Sequence, residues 1–265
     1  MARILTDEST LTRKRRTLIR ESGVLQWVLY VEAGITALLL LAGGVLWLAA
    51  RRTGVLILGA MTAFLTVGHF IKIRENRREQ RFVEAGLKGE ITVTQRLHEV
   101  LGNDTYILND VTVKVVRRRA QKDHMVISPK AIFVIETKNW RGAVSGDEKE
   151  RRWIQVRQPG DKPVSVSNPI IQNRQHVEAL AGFLRARGVD WPDLVSVIVT
   201  TSPSSTFTVA NRTVPVVRPV EVGELIRSHG SARTYGPAAV DAVINHLMRR
   251  ARLTGRRRSS APWWP

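Results

Sequence analysis

Two apolar runs in the first quarter of the chain constrain its fold more than any other feature. Ala33–Ala50 carries no charge, and Gly54–Ile71 has His69 as its one ionisable residue. A helix rises about 1.5 Å per residue, so a run of this length can cross most of a hydrocarbon layer about 30 Å thick. Because three residues separate the runs, the sequence predicts a tight transmembrane helical hairpin, with spans at about 30–50 and 54–72.

Basic residues flank this hairpin unequally. Six Lys or Arg precede the first span, five follow the second by residue 81, and two lie between the spans. Because cytoplasmic flanks carry the excess of Lys and Arg, the pattern predicts two spans in the plasma membrane with both termini cytoplasmic. A soluble hairpin buried in protein is the alternative. A cleaved signal peptide is disfavoured because a basic stretch of more than twenty residues comes first.

The charge and the cysteine content narrow the classes of function. There are no cysteines, which excludes a disulfide framework, a thiolate zinc site and a cysteine nucleophile. The formal net charge of +18 attracts polyanions such as nucleic acid or an anionic membrane face. Part of this excess lies beside the apolar runs, where membrane topology alone would require it.

From residue 74 onward the pattern is that of a mixed α/β domain. The charged connector 74–80 is expected to continue the second helix, and 88–102 has the apolar spacing of one short amphipathic helix. Three strands follow, at 105–116 and on either side of the turn SPKA. AVSG and RRWIQVR suit a further hairpin, and the loop QPGDKPVSVS is expected to be irregular.

A second helix and a further strand complete the predicted core. Asn168 is an N-cap, Pro169 fits the first turn, and the apolar stripe that follows ends at Gly188. LVSVIVTT at 194–201 suits a central strand. The order is therefore helix, three strands, helix, strand. TVPVV and the last two amphipathic segments add a strand and two helices before a loose tail, TGRRRSSAPWWP.

Three charges interrupt the apolar stretch DHMVISPKAIFVIETKNW. Alternation along IFVIETK puts Glu136 and Lys138 on one face. If Pro129 and Lys130 are the central turn residues, paired residue numbers sum to 259, so that Asp123 lies opposite Glu136. A bulge at Ala131 would shift the sum to 260, but alanine is poorly suited to the positive φ that such a bulge requires.

Two carboxylates held side by side must repel each other or share a cation. Hard oxygen ligands select Mg²⁺ or Mn²⁺. Lys138, on the same face, would stand beside that ion's water or phosphate and stabilise the charge that develops in phosphoryl transfer. Charged strand ends are common, so a solvated Glu136–Lys138 pair is the alternative; the alignment of Asp123 favours the metal site.

Three ordered motifs resemble the NERD (nuclease-related) domain, a branch of the PD-(D/E)xK restriction-endonuclease-like nucleases. They are GLKGE at 86–90, QKDHMVISPKAIFVIETKNWRG at 121–142 and NPIIQNRQHVEALAGFL at 168–184. The resemblance implies an α/β, restriction-endonuclease-like core of the same helix and strand order. It also implies Glu90 as an accessory metal or water-positioning carboxylate, Asp123 and Glu136 as metal ligands, Lys138 as the catalytic lysine, and Gln172 as an orienting residue.

The apolar runs, the change of composition at residue 74 and the resemblance together divide the chain into four segments. We expect a basic N-terminal segment at 1–23, the hairpin at 24–73, the nuclease-like domain at 74–205 and a C-terminal extension at 206–265. The expected function is a membrane-anchored, divalent-metal-dependent nuclease that hydrolyses phosphodiester bonds of nucleic acid, with DNA as the expected substrate and no organic cofactor. A nucleic-acid-binding module that does not cut, and a scaffold with a vestigial acidic pair, are the alternatives.

Three further residues have competing interpretations. Glu90 could instead be a carboxylate in the first turn of its helix, stabilised by the helix dipole. His124 alternates to the face opposite Asp123, which favours a packed histidine over a metal ligand. His176 is four residues from Gln172 on one helix, so both could lie over the site or form a polar rim.

Overall fold

The computed structural model describes residues 1–5, 10–50, 54–115, 118–189, 191, 193–231 and 233–253. The short linker between the apolar runs and the tail predicted at 254–265 lie outside the described residues. The chain forms two compact units. One is helical and comprises Leu11–Ala85; the other comprises Met1–Thr10 together with Gly86–Pro265 and contains both sheets.

Two long helices contain the apolar runs. Helix α1 spans Thr10–Ala50 and helix α2 spans Gly54–Val100. The predicted helical continuation through the charged connector is confirmed, because that connector contains strong helix formers and no proline. The separate short helix predicted at 88–102 was wrong: these residues are the last turns of α2, which ends at Val100.

The helical unit exposes apolar side chains. Trp27, Leu48 and Phe64 are 75%, 76% and 79% exposed, and two helices are long and apolar enough to cross a membrane. Between α1 and α2, His69 Nδ1 lies 2.6 Å from Glu32 Oε2. These two side chains therefore pair with each other, which reduces the cost of polar groups on apolar helices.

The larger sheet has six strands. Its members are β1 (Arg3–Ile4), β2 (Tyr106–Val115), β3 (Arg118–Ile127), β4 (Ile132–Lys138), β8 (Leu194–Thr200) and β10 (Val216–Val217), in the order β1-β2-β3-β4-β8-β10. Strands β2, β3 and β4 are antiparallel neighbours, whereas β8 is parallel to β4 and to β10. The three successive strands and the central position predicted for the strand at 194–201 are thus confirmed.

Helices cover both faces of this sheet. On one face α3 (Pro169–Arg185) and α5 (Pro237–Leu253) pack against Ile132 and Val134. On the other face α2 and α4 (Pro219–Ser228) pack against Phe133 and Ile135. The alternation of buried side chains along β4 therefore assigns Glu136 to the α3 face and Thr137 to the α2 face.

A second sheet of four strands was only partly predicted. The hairpin of β5 (Gly142–Asp147) and β6 (Arg152–Val156) is present, as expected. Two further strands flank it, in the order β7-β6-β5-β9: β7 (Val164–Ser167) and β9 (Ser205–Ala210). The irregular loop predicted before Asn168 was therefore wrong in its second half, where VSVS pairs with the edge of β6.

The first residues of the chain complete the larger sheet. Strand β1 pairs in parallel with Tyr106 and Ile107 of β2, and Ala2 is buried in the core between α2 and the sheet. A basic segment described only by its charge gave no sign of this strand, because two paired residues are too few for a periodic signal. The domain that begins at Gly86 therefore also uses residues that precede α1.

Burial of Ala2 yields a stability prediction. Ala2→Asp should lower the free energy of unfolding of the sheet unit by about 2–3 kcal/mol, because it buries a carboxylate without a partner. Hydrogen exchange of the β2 amides in the full chain would measure the loss. The exposed neighbour provides the control: Arg3→Ala should change this stability by less than about 1 kcal/mol. Equal effects of the two substitutions would contradict the burial of β1.

Candidate functional site

The hairpin register brings Asp123 beside Glu136. Paired residues His124–Ile135, Met125–Val134, Val126–Phe133 and Ile127–Ile132 all sum to 259, so the register expected from the turn is the one present. At the open end of this ladder the backbone N–H of Thr137 donates to Asp123 Oδ2 over 2.8 Å. One carboxylate of the predicted pair is thereby oriented by the neighbouring strand.

Glu136 is the more deeply enclosed carboxylate, with 2% of its surface exposed. Lys138 Nζ donates to its Oε1 over 2.6 Å. Its second oxygen, Oε2, has no hydrogen-bond partner among the described residues and lies 3.6 Å from His176 Nδ1. A buried carboxylate oxygen in this state is costly, and such an atom is available to a ligand.

Lys138 is fixed from two sides. Besides Glu136, its ammonium group donates to Gln172 Oε1 over 3.2 Å. Its Nζ also lies 5.7 Å from the centre of the Trp140 ring, and this ring stacks on Phe207. The structure therefore brings Asp123, Glu136, Lys138 and Gln172 of the sequence-predicted site residues together.

Burial makes the two carboxyl groups hard to ionise. Burial and, to a lesser extent, the nearby Glu136 raise the pKa of Asp123 to about 8, while the Thr137 N–H and Lys138 oppose this rise. Burial likewise raises the pKa of Glu136, while the ammonium of Lys138 opposes this. A divalent cation between the two groups would offset both penalties, since an opposite charge favours the ionised form.

Helix α3 is anchored by its first residues. The Asn168 side chain accepts hydrogen bonds from the N–H groups of Ile170 and Ile171 and donates to the carbonyl groups of Glu148 and Glu150. Pro169 occupies the first turn, as predicted. Asn168 thus caps α3 and also ties it to the β5–β6 turn, which fixes the helix that carries Gln172.

Asn173 is a site-supporting residue that sequence reasoning missed. It is fully buried, and its Nδ2 lies within hydrogen-bonding distance of Val134 O, Ser196 Oγ and Val197 O. These contacts join α3 directly to β4 and β8 two residues before Glu136. The signal that could have found Asn173 is its place beside Gln172 at the end of the NPIIQN motif, because a buried asparagine has no periodic signature.

Glu90 lies on α2 and is buried. It is far from the first turn of this helix, which begins at Gly54, so the helix-dipole explanation for this carboxylate was wrong. The preceding Gly89 packs against the ends of β4 and β8: a Cβ there would lie 2.8 Å from Thr201 Oγ1 and 3.4 Å from Thr137 Cγ2. Gly89 thus allows α2 to approach the strand that carries Glu136. The role of Glu90 stays a prediction.

His124 is a packed core residue, as the alternation favoured. It is fully buried on the α2 face, where its Nδ1 lies 2.8 Å from Asn109 Oδ1 and 3.3 Å from Thr94 Oγ1. Burial lowers its pKa to about 3, so the ring is neutral at physiological pH. His176, in contrast, lies beside Glu136, which favours a position over the site rather than at a polar rim.

Asp110 is a second residue that the sequence did not reveal. It interrupts the β2–β3 pairing between Asn109–His124 and Val111–Lys122, at the level of Asp123. It is 2% exposed and has a positive φ of 52°, a conformation that aspartate tolerates better than most residues. Its charge contributes to the raised pKa of Asp123. The sequence around Asp110 is that of an ordinary strand, so it does not predict the positive φ of this residue.

The donor set fits a hard divalent cation held by two protein carboxylates. Within the described ranges there is no cluster of three or more His, Asp or Glu side chains that could hold a metal ion. Asp123 and Glu136 are nevertheless adjacent, and Glu136 Oε2 has no hydrogen-bond partner. Cations such as Mg²⁺ commonly bind through one or two carboxylates, with water and substrate phosphate as the remaining ligands.

Comparison with known proteins defines the class of this domain. Residues 85–201 match the NERD family, described as a nuclease-related domain. The chain therefore contains a nuclease-related domain of mixed α/β fold, and the resemblance seen in its motifs is confirmed.

One relative is a Bacillus anthracis protein described as uncharacterized. It is 38% identical over 96 residues, which cover 36% of this chain and 44% of the relative. The chain thus matches less than half the length of this relative. No solved structure matches the chain.

The raised pKa of Asp123 predicts an unusual pH dependence in metal-free buffer. The folded chain holds a proton to about pH 8, whereas the unfolded chain releases it near the ordinary value of 3.8. This contribution to stability is therefore complete below the unfolded pKa and is lost as the pH rises through the folded pKa. The free energy of unfolding should fall by about 1.4 kcal/mol per pH unit from this group between about pH 5 and 7.

Asp123→Asn should remove this slope while keeping the acceptor for the Thr137 N–H. Hydrogen exchange of the β4 amides in chelator, at several pH values, would measure the stability of both proteins. The exposed Asp241→Asn, on α5, should leave the slope unchanged. Identical slopes for the parent and Asp123→Asn would contradict a buried, protonated Asp123.

Proposed function

We propose that this protein is a membrane-anchored nuclease that uses a divalent cation, Mg²⁺ or Mn²⁺, to hydrolyse phosphodiester bonds of nucleic acid, with DNA as the simplest substrate. The nuclease-related family of residues 85–201 supports the class of reaction. The observation that carries the proposal is the convergence of Asp123, Glu136 and Lys138 at the open end of the β3–β4 pairing.

Each residue has a role that follows from its contacts. Asp123, oriented by the Thr137 N–H, and Glu136, through its unbonded Oε2, would hold the cation. When bound, such an ion supplies activation of water and neutralisation of phosphate charge. Lys138 would then turn its ammonium group toward the substrate phosphate and stabilise the negative charge that grows there.

Two residues of α3 would position this machinery. Gln172 accepts from Lys138 and can hold its ammonium group in place after Glu136 engages the cation. His176 stands next to Glu136 and limits the positions that this carboxylate can take. Glu90, buried on α2 beside the tightly packed Gly89, is proposed as an accessory carboxylate that orders water.

A cleavage assay on the full chain in nanodiscs tests the proposal. Full length is required because β1 precedes the helical hairpin and belongs to the sheet. With plasmid or single-stranded DNA, cleavage should require Mg²⁺ or Mn²⁺ and cease in chelator. Lys138→Ala should lower the rate about 10²–10³-fold, the usual cost of losing one electrostatic contact to a transition state.

Lys149→Ala is the matched control, because Lys149 is exposed on the β5–β6 turn. It removes the same charge and should retain the parental rate. Cleavage that survives chelator, or survives Lys138→Ala, would rule out the proposed chemistry. Salt-sensitive binding of DNA without cleavage under any divalent ion would instead select the binding-module alternative.

The membrane anchor is supported by two features of the chain. Large apolar side chains on α1 and α2 are exposed, and insertion into a bilayer would remove them from water. Strand β1 and the residues from Gly86 onward belong to one folded unit. The chain must therefore enter α1 and leave α2 on the same side of a bilayer, which an even number of spans satisfies. The basic flanks favour the cytoplasmic side.

The absence of cysteine makes this topology testable by single-cysteine labelling. In intact cells, a membrane-impermeant maleimide should label Thr53→Cys, between the two runs, and should not label Lys149→Cys. Permeabilised cells should label both. Labelling of Lys149→Cys in intact cells would contradict a cytoplasmic domain, and release of the chain from membranes by alkaline carbonate would contradict spanning helices.

A further inference from the structure

A polar cleft lies next to the candidate site but outside it. It has a volume of about 490 Å³ and is formed by α2, the β4–β5 connection, the end of β6 and the β8–β9 turn. Asn139 follows Lys138 directly, Gly89 precedes Glu90, and the Thr201 N–H donates to the Lys138 carbonyl group over 3.0 Å. We call this feature the basic cleft.

The charges of the basic cleft are of one sign. Lys88, Arg141 and Arg157 line it, and all three are exposed. The lining residues that the structure describes include no Asp or Glu. Within the part of the chain that the structure describes, none of these three side chains makes an ion pair or a side-chain hydrogen bond. The remaining polar lining consists of hydroxyl and amide groups: Thr92, Asn139, Gln158, Thr201, Ser202 and Ser204.

Close backbone packing builds this arrangement. Gly142 has a positive φ of 78°, and a Cβ there would collide with the carbonyl oxygens of Val156 and Arg157. Glycine therefore lets β5 begin directly against the end of β6, which brings Arg141 next to Arg157. Gln155 Nε2 donates to the Arg141 carbonyl group over 2.8 Å and fixes this connection.

The opposite wall of the basic cleft is also braced. Arg218 donates from Nη1 to Ser202 O over 2.7 Å and from Nη2 to Ser205 O over 2.6 Å. Both contacts hold the β8–β9 turn, so this arginine supports the wall. Arg141 and Arg157 make no such contact with any residue that the structure describes, which leaves their guanidinium groups available to an anion.

Unpaired guanidinium and ammonium groups with hydroxyl and amide donors form the chemistry that binds phosphate oxygens. We infer that the basic cleft binds the phosphodiester backbone of one nucleic-acid strand, at phosphates adjacent to the one that reaches Lys138. The inference rests on the proposed function. Since phosphate contacts carry no sequence information, the cleft gives affinity and registers the strand without selecting bases.

Binding without cleavage isolates this role. In the Lys138→Ala full chain in nanodiscs, fluorescence anisotropy with a labelled single-stranded DNA 20-mer should show salt-dependent binding. Adding Arg141→Ala and Arg157→Ala should weaken binding about tenfold or more. It should also reduce the slope of log K against log salt by about 0.7 for each lost phosphate contact.

A charge-matched control separates local contacts from net charge. Lys149→Ala with Arg151→Ala removes two positive charges from the exposed turn at the other end of β5 and β6. This pair should change affinity less than threefold and leave the salt slope unchanged. An unlabelled duplex of the same sequence should displace the labelled single strand less effectively than the unlabelled single strand does, because the cleft takes one strand.

The outcomes distinguish the two levels of the proposal. No binding by the Lys138→Ala chain would overturn both the proposed function and the basic cleft. Normal binding that is indifferent to Arg141 and Arg157, or equally weakened by the control pair, would overturn the basic cleft alone. Unchanged hydrogen-exchange protection of β5 and β6 in the variants would verify that each remains folded.

Discussion

Two carboxyl groups buried side by side on neighbouring strands are the constraint on which this domain depends. Asp123 and Glu136 lie at the open end of the β3–β4 pairing, where burial raises the pKa of each and the charge of Glu136 raises that of Asp123 as well. A fold optimised for stability would place apolar residues there, since replacement of buried charges by packed side chains is often neutral or stabilising. The contacts that surround the two carboxyl groups hold this unfavourable pair in position.

Helix α3 supplies most of that support. Asn168 begins the helix and binds the β5–β6 turn, Asn173 binds β4 and β8, and Gln172 with His176 faces Lys138 and Glu136. Each contact lies within two turns of the helix N-terminus. A shift of the helix along its axis would therefore break the structural and the candidate catalytic contacts together, which explains why one short motif contains both kinds of residue.

The sequence predicted those features that local chemistry determines. The SPKA turn determined the register, because Ala131 disfavours the bulged alternative, and Asn168-Pro169 identified the start of α3. It did not predict β1, β7 or β9, which are short edge strands or are stabilised mainly by partners distant in sequence. Asp110 escaped for a related reason: its positive φ depends on β3 beside it and not on its own neighbours in sequence.

The apolar hairpin is inserted between two chain segments that belong to one folded domain. Residues on both sides of the hairpin in sequence, β1 and the end of α2, pack into one core around Ile107 and Val93. The chain therefore leaves this domain after β1 and returns to it within α2, so two chain segments connect the domain to the helical unit. If that excursion crosses a bilayer twice, the bilayer restrains the domain at two points of its own core.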